Sequence, residues 1–192
     1  MGTPRTGNRI KGAVLQSRIK FVREVAGEAG LAKVLGSLGP ADREVLNGSI
    51  LTVLWYPLDL NLRLDAAIAS ALSPDDRSRI FLELGRASAE QNLTGVHRAY
   101  LRAGEPHFLL SNAPLIYAAY YASGSRTYEK LGEKAAVLRT LNAETISATD
   151  CLTVVGWHRR AIELCGGTDV KVVETQCRAR GAPHCEYRCE WS

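Results

Sequence analysis

The sequence lacks any apolar run long enough to cross a membrane, because a spanning helix needs about 20 consecutive apolar residues. The longest apolar stretches, residues 49–56 and 113–122, are far shorter than this. The N-terminal segment also lacks the apolar core of a secretory signal peptide. We therefore expect a cytoplasmic protein without a membrane span, whose cysteine thiols stay reduced.

Catalytic motifs are missing as well. The sequence contains no phosphate-binding loop, dinucleotide fingerprint, H-E-x-x-H pair or Ser-His-Asp order. Cys151 and His158 are a candidate nucleophile and base, but seven residues of helix separate them by about 10 Å, too far for a hydrogen bond. We expect no catalytic residues, and a protein that is not an enzyme.

A strong charge of either sign is absent, since 24 basic and 20 acidic residues leave a net charge of +4. The excess lies in residues 1–26, which carry six basic residues against Glu24. Such a segment can bind nucleic acid or anionic lipid. Phe21 is the only aromatic residue among these charges, so we expect a solvated helix face and no nucleic acid partner. The length predicts a single domain at residues 10–192 after a flexible basic tail at 1–9.

Apolar residues recur every three to four positions through the first two-thirds of the sequence, which is typical of amphipathic helices. Ser73, followed by Pro74 and two acids, predicts the N-cap of a long helix. We expect Gly85 to bend this helix or to let another helix approach it. Pro114 predicts the start of a new helical segment. The predicted helices cover residues 17–26, 29–38, 40–46, 58–72, 73–101, 106–121 and 151–164.

Short alternating segments replace this pattern from about residue 125. Gly132 lies in a predicted hairpin turn, and Asp150 is the predicted N-cap of one helix inserted among the strands. The predicted fold class is therefore α+β, with a helical N-terminal two-thirds packed on a small antiparallel sheet. The predicted strands cover residues 126–131, 135–141, 145–148, 170–173 and 186–191.

Cysteine is absent from the first 150 residues and occurs five times in the last 42. Cys177 and Cys185 flank a predicted turn, so their side chains can face each other across a hairpin. Glu174 belongs to the same segment, and Cys151 opens the preceding helix, whose N-terminus favours a thiolate. Three thiolates and one carboxylate are donors that satisfy tetrahedral zinc.

The alternative is a small core of buried, reduced cysteines. Cys165 and Cys189 fit that interpretation better than the other three. Cys189 follows Cys185 by four residues, so a regular strand places both on one face and makes Cys189 a candidate substitute ligand.

The segment "VVETQCRARGAPHCEYRCEW" resembles the C-terminal signature of vinyl-reductase-like ligand-sensing domains, which share a fold with the TRAPP trafficking subunits and, more distantly, with haem-based nitric-oxide sensors. The resemblance implies a TRAPP-like fold and a C-terminal helix–hairpin zinc unit at residues 150–191. It also implies a structural zinc ion, because four protein ligands leave no open position. The implied ligands are Cys151, Glu174, Cys177 and Cys185.

The segments "NLTGVHR", "APLIYAAYY" and "DCLTVVGWH" are similar to a paralogous family of uncharacterised myxobacterial proteins of about this length. The sensor fold implies a mostly apolar cavity between helices and sheet that accepts an aromatic or acyl ligand. The residues of this chain that would line it are Tyr117, Tyr120, Tyr121 and Trp157. The alternative is that these aromatic side chains form plain core packing.

Haem is not expected. The haem sensors need an axial histidine and a Tyr-x-Ser-x-Arg element, and here the segment from Tyr121 to Arg126 places the arginine one position late. His97 is the candidate histidine near the end of the long predicted helix, although a lone helical histidine is more often a surface or core residue.

Together these observations predict a non-enzymatic sensor or adaptor domain that binds a small hydrophobic, aromatic or acyl molecule. Such a domain would signal as a homodimer or through a protein partner. The alternative is a structural protein–protein interaction module without a ligand cavity.

Overall fold

The computed structural model describes residues 8–143 and 147–192. It confirms the predicted α+β class. The helices are α1 (Gly12–Gly36), α2 (Pro40–Asn47), α3 (Leu58–Leu72), α4 (Arg77–Thr94), α5 (Pro106–Tyr120) and α6 (Cys151–Leu164). The strands are β1 (Arg9–Lys11), β2 (Trp55–Pro57), β3 (Ser125–Gly132), β4 (Ala135–Leu141), β5 (Lys171–Gln176) and β6 (Cys185–Glu190). None of the helices in these ranges is both long and apolar enough to span a bilayer.

The N-terminal part begins with the antiparallel pair β1–β2. The structure places Arg9 in β1, and the Asn8 carbonyl accepts a hydrogen bond from Leu58 N at 2.8 Å, so residues 8 and 9 do not belong to a tail. The rest of the predicted tail, residues 1–7, lies outside the described residues. Helix α1 is interrupted at Gly27 (φ 66°), as predicted, and then continues to its end.

Helix α4 differs at both ends from the prediction of residues 73–101. Asp76, not Ser73, is the N-cap, and its carboxylate accepts a hydrogen bond from Arg79 N at 3.2 Å. The helix ends at Thr94, before Gly95, and a 3₁₀ turn follows at Arg98–Tyr100. The apolar spacing that continues past Gly95 therefore belongs to a different element.

Helix α5 is continuous through Pro114, which the sequence interpretation placed at the start of a new segment. A proline inside a helix removes one backbone donor and crowds the preceding turn. The buried residues on both sides of it, Leu110 and Tyr117 among them, hold the helix together by packing. Here tertiary contacts override local propensity.

The four-stranded sheet has the order β3-β4-β6-β5, and all neighbouring strands are antiparallel. Helix α6 enters between β4 and β5 in the sequence, which confirms the predicted inserted helix. The predicted strand at residues 145–148 falls mostly on residues 144–146, which lie outside the described residues, and Ala148 is in a turn.

Helices α4 and α6 cross in direct backbone contact. A Cβ at Gly85 would clash with the carbonyl of Thr153, and one at Gly156 would clash with the carbonyl of Leu82. Gly85 therefore lets another helix approach, one of its two predicted roles. The crossing fixes α6 against the helical part of the molecule and so fixes the position of Cys151 at its N-terminus.

Candidate metal centre and internal cavities

Four side chains near the N-terminus of α6 converge in a group that can hold a metal ion. The sulfur atoms of Cys151, Cys177 and Cys185 and a carboxylate oxygen of Glu174 all lie within 4.8 Å of one another. The Cys151 sulfur is 3.8 Å from the sulfur atoms of both Cys177 and Cys185. The three cysteines are buried, and Glu174 is partly exposed.

The hairpin geometry explains why Glu174 and Cys177, three residues apart, face the same side. Glu174 pairs with Tyr187, but Gln176 pairs with Glu186, so the register shifts by one residue within β5. A bulge of this kind inserts one extra residue and re-aims the side chains that follow it. Without the bulge, Cys177 would lie on the opposite face of the hairpin from Glu174. The sequence gives no signal for this bulge.

The group of four side chains has two features that a cation would relieve. One carboxylate oxygen of Glu174 is buried and has no hydrogen-bond partner. The hydrogen bond with Cys185, together with burial and Glu174, raises the pKa of the Cys151 thiol far above its ordinary value. Burial likewise raises the pKa of Cys177. These neighbours outweigh the effect of the helix N-terminus, which by itself would favour a thiolate at Cys151.

The geometry also matches the size of a zinc site. With Zn–S bonds of about 2.3 Å, a tetrahedral ion places its sulfur ligands about 3.8 Å apart. The two sulfur–sulfur distances at Cys151 have this value. The donor set and its spacing thus fit zinc, whose binding to these residues stays a prediction.

The remaining two cysteines lie elsewhere in the core. Cys189 packs in β6 against Ala136 and Val172 of the neighbouring strands. Cys165 follows the last turn of α6 and packs with Leu109. Among the described residues, neither joins the group of four ligands, so Cys189 is not placed to substitute for one of them.

The four predicted pocket residues all line one cavity of about 50 Å³. Tyr117 and Tyr120 come from α5, Tyr121 follows that helix, and Trp157 comes from α6. The rings of Tyr117 and Tyr121 stack with their centres 4.7 Å apart and 10° between their planes. Burial raises the pKa of Tyr117 to about 12, and that of Tyr120 to about 12 as well.

A second cavity of about 90 Å³ lies beside the first. The two share parts of their walls, including Arg18, Arg126 and the two stacked tyrosines, and the second also reaches Cys151 and Cys185. The interior is thus more polar than expected from the sequence, and it adjoins the four candidate metal ligands.

Arg18 is the main residue of this interior that sequence reasoning missed. We expected a solvated basic helix face, but Arg18 is 3% exposed and forms a two-point ion pair with Asp65, which is 2% exposed. Arg18 also donates to the hydroxyl of Ser88. The sequence does carry a signal for its burial. Arg18 lies four residues from both Val14 and Val22, and so within the apolar stripe of α1.

The histidines do not assemble the pairs considered from the sequence. His158 is fully buried, and its Nε2 lies 3.3 Å from a nitrogen of Arg126 instead of contacting a cysteine. His97 follows α4 in a turn, where its ring contacts Tyr100 and Tyr120 and where burial lowers its pKa. The described residues that line the two cavities include no histidine.

Comparison with known proteins gives one family and one fold. The model of a family described as protein of unknown function (DUF2378) matches residues 31–192. No curated protein matches the sequence.

Several solved structures of H-NOX proteins share the fold. One from S. oneidensis, in the Fe(II)NO ligation state, has a TM-score of 0.72 and 14% identity, covering 95% of this chain and 99% of that chain. An unliganded Fe(II) mutant from K. algicida has a TM-score of 0.69 and 11% identity, covering 95% and 97%. A structure described as probing haem distortion in the H-NOX family has a TM-score of 0.73 and 14% identity, covering 95% of each chain.

Proposed function

The chain belongs to the DUF2378 family of proteins of unknown function, and we propose that it is a non-enzymatic sensor or adaptor domain that binds a small molecule between its helices and its sheet. The observation that carries this proposal is the convergence of Tyr117, Tyr120, Tyr121 and Trp157 on one cavity. The fold, shared with ligand-binding sensor domains, supports it.

A ligand-dependent thermal shift tests this proposal. A molecule that binds only the folded state raises the melting temperature in proportion to the logarithm of its concentration. We expect small aromatic or acyl compounds to raise it and to quench the fluorescence of Trp157. The variant Trp157→Phe should lose the quenching, whereas Trp55→Phe, at the exposed strand β2, should keep it. A panel that shifts neither signal would contradict the proposal.

The metal group supports a second element of this proposal, a structural zinc ion. Cys151, Glu174, Cys177 and Cys185 would hold it, and the orphaned oxygen of Glu174 would gain a partner. The bound ion would cross-link the N-terminus of α6 to the β5–β6 hairpin and contribute to folding.

Metal analysis of protein that has never met a chelator tests the zinc site. We expect about one equivalent of zinc, with loss of most of it in Cys177→Ser. Cys189→Ala, which removes a buried thiol outside the group, is the matched control and should retain the metal. Less than about a tenth of an equivalent in the unaltered protein would contradict the site.

The H-NOX neighbours are haem proteins, which weighs against our expectation that this chain binds no haem. The interior of this chain does not fit the group. The two cavities lined by the predicted pocket residues, of about 50 and 90 Å³, are well below the 300–1,000 Å³ typical of cofactor sites. The Arg18–Asp65 ion pair lies in their wall, and no described lining residue is a histidine. A more open groove of about 710 Å³ along α1 and α2 is large enough, but its described lining residues include no histidine. Purified protein with a Soret absorption band would overturn this part of the proposal.

The same small volumes favour one alternative, a structural interaction module whose interior is filled by side chains. Absence of any ligand-dependent thermal shift, together with stable association with another protein, would favour it.

Several expectations from the sequence stay predictions: homodimerisation, a protein partner, a cytoplasmic location, and the vinyl-reductase-like and TRAPP-like label. So do a single domain at residues 10–192 and the zinc unit at 150–191. Native mass spectrometry measures bound metal, bound ligand and oligomeric state in one experiment.

A further inference from the structure

The two cavities share a cation, Arg126, that forms no ion pair within the described part of the chain. Arg126, at the start of β3, is partly buried and lines both cavities. Its Nε and Nη2 donate to the hydroxyl of Thr140 at 3.3 and 3.2 Å, and its Nη1 donates to Nε2 of His158 at 3.3 Å. The guanidinium also lies 4.8 Å above the ring of Tyr117.

All of these partners are neutral. His158 accepts a hydrogen bond from the guanidinium, and full burial lowers its pKa well below the ordinary value, so its imidazole carries no charge. Within the described part of the chain, no carboxylate lies within ion-pair distance of Arg126. A guanidinium has five N–H donors, so part of its capacity is unused.

Arg18, in the wall of the same cavities, shows the opposite arrangement. Its guanidinium is bound at two points by the Asp65 carboxylate, at 2.9 and 3.1 Å, which neutralises both groups. The other carboxylate in the wall of the larger cavity, Asp150, accepts hydrogen bonds from the backbone and hydroxyl of Ser147 and forms no ion pair with Arg126 in the described part of the chain. Because a partly buried charge without a counter-charge costs free energy, Arg126 favours an anion from outside the chain.

The surroundings of Arg126 indicate the rest of such a ligand. The stacked rings of Tyr117 and Tyr121 give a flat apolar wall beside the guanidinium. Asn61, which is 3% exposed and lines the larger cavity, has a side-chain oxygen without a partner that can accept a hydrogen bond.

We propose that the ligand of this domain is a small organic acid with an aromatic or short acyl body, whose carboxylate binds the guanidinium of Arg126 while its apolar body packs on Tyr117 and Tyr121. This inference rests on the proposed ligand-binding function and adds the charge of the ligand. Arg126 is the specificity-determining residue, and Arg18 is excluded from that role by Asp65.

Isothermal titration calorimetry of the full chain with two probes, benzoate and its neutral analogue benzyl alcohol, tests the inference. We expect benzoate to bind about 10- to 100-fold more tightly, as one charge-assisted pair of hydrogen bonds allows. Arg126→Met should abolish this preference and leave the binding of benzyl alcohol nearly unchanged. Arg188→Met, on the exposed face of β6 and paired with Glu190, is the control and should keep the preference.

The outcomes separate this inference from the proposed function. Equal binding of both probes to the unaltered protein would overturn the inference and leave the ligand-binding function intact. An equal loss of benzoate binding in both arginine variants would also overturn it, since the effect would then be one of overall charge. Failure of both probes to bind would overturn the ligand-binding function and this inference with it. If Arg126→Met does not fold, Arg126→Gln takes its place, and Arg126→Lys should retain part of the preference.

Discussion

Buried Arg18 shows how strongly the free-energy cost of burying a charge depends on its partner. Arg18 and Asp65 are both buried and neutralise each other, with Asn61 donating to the same carboxylate at 3.2 Å. Removing one member of such a pair leaves an uncompensated buried charge, whereas replacing both by apolar groups removes the whole cost of burying charge. The effect of a substitution here therefore depends on whether one or both members of the pair are replaced.

A double-mutant cycle measures this. We expect Arg18→Met alone to destabilise the protein by about 3–5 kcal/mol. Adding Asp65→Leu should recover most of that loss, because no charge is then left unpaired. Urea unfolding of the single and double variants gives the free energies of unfolding. A double variant as unstable as the sum of the two single variants would contradict the pairing.

The buried His158 predicts a loss of stability in mild acid. Its pKa in the folded protein is lowered by burial and by Arg126, so the unfolded chain takes up the proton first as the pH falls. Stability is therefore complete above the unfolded pKa of about 6.5 and is lost below it, by up to about 1.4 kcal/mol per pH unit.

Unfolding between pH 7 and 5.5 checks this prediction, because the unfolded pKa values of carboxyl groups lie below that range. His158→Leu should flatten the pH dependence even if it lowers the overall stability. His97→Gln is the control, since the half-buried His97 shifts in the same direction and should account for a smaller part of the slope. An unchanged slope in His158→Leu would refute the assignment.

At the scale of elements, the crossing of α4 and α6 decides where the metal group forms. The two helices touch through glycines, and the N-terminus of α6 then meets the β5–β6 hairpin, whose bulge turns Cys177 toward Cys151. Both features are needed: the crossing sets the distance between helix and sheet, and the bulge sets the face on which the ligands lie.

Gly85→Ala should be strongly destabilising for this reason. The added methyl group meets the backbone carbonyl of Thr153, which cannot move without separating the helices, so we expect a cost of about 2–4 kcal/mol. Gly36→Ala, in the last turn of α1 with open space around it, is the matched control and should be neutral or slightly stabilising. Equal effects on the melting temperature would contradict the close contact.

Most of the elements were predictable, and the errors have local causes. The caps and periodicity of α2 and α3 gave their bounds within a residue, because apolar spacing and first-turn proline act over a few residues. Two acids follow Pro74, so Ser73 and Asp76 are competing N-caps in the sequence, and in the structure Asp76 caps α4. Asp150 precedes α6 as predicted, but its carboxylate bonds Ser147 instead of capping the helix.

At the scale of the whole molecule, the proposed zinc site lies in a small cluster that packs apart from the main helical core. The apolar cluster of the N-terminal helices includes Leu15, Leu64 and Leu84, whereas Cys151, Cys177, Cys185 and Tyr187 form a small cluster of their own. A small cluster of this kind contributes little burial by itself, so a metal ion would supply much of its local stability.

Chelation should therefore open the molecule unevenly. We expect a strong chelator to lower the melting temperature and to reduce hydrogen-exchange protection first in α6, β5 and β6, with α1 and α3 still protected. Added zinc should restore both. Exchange that rises equally in all helices, or not at all, would show that no metal ion holds this unit.

The sequence by itself determined the α+β class, the sites of most helices and strands, and the four residues that meet as candidate ligands. These follow from information within a few residues, such as periodicity, caps and turns, and from a resemblance in the last 42 residues. Only the tertiary structure decided that Arg18 is buried, that Cys177 turns to the face of Glu174, and that Arg126 has neutral partners. Those properties depend on groups that packing brings together: Arg18 and Asp65 are 47 residues apart. The ionisation and the bonding partners of a charged group or a thiol depend on such neighbours, which the local sequence does not specify.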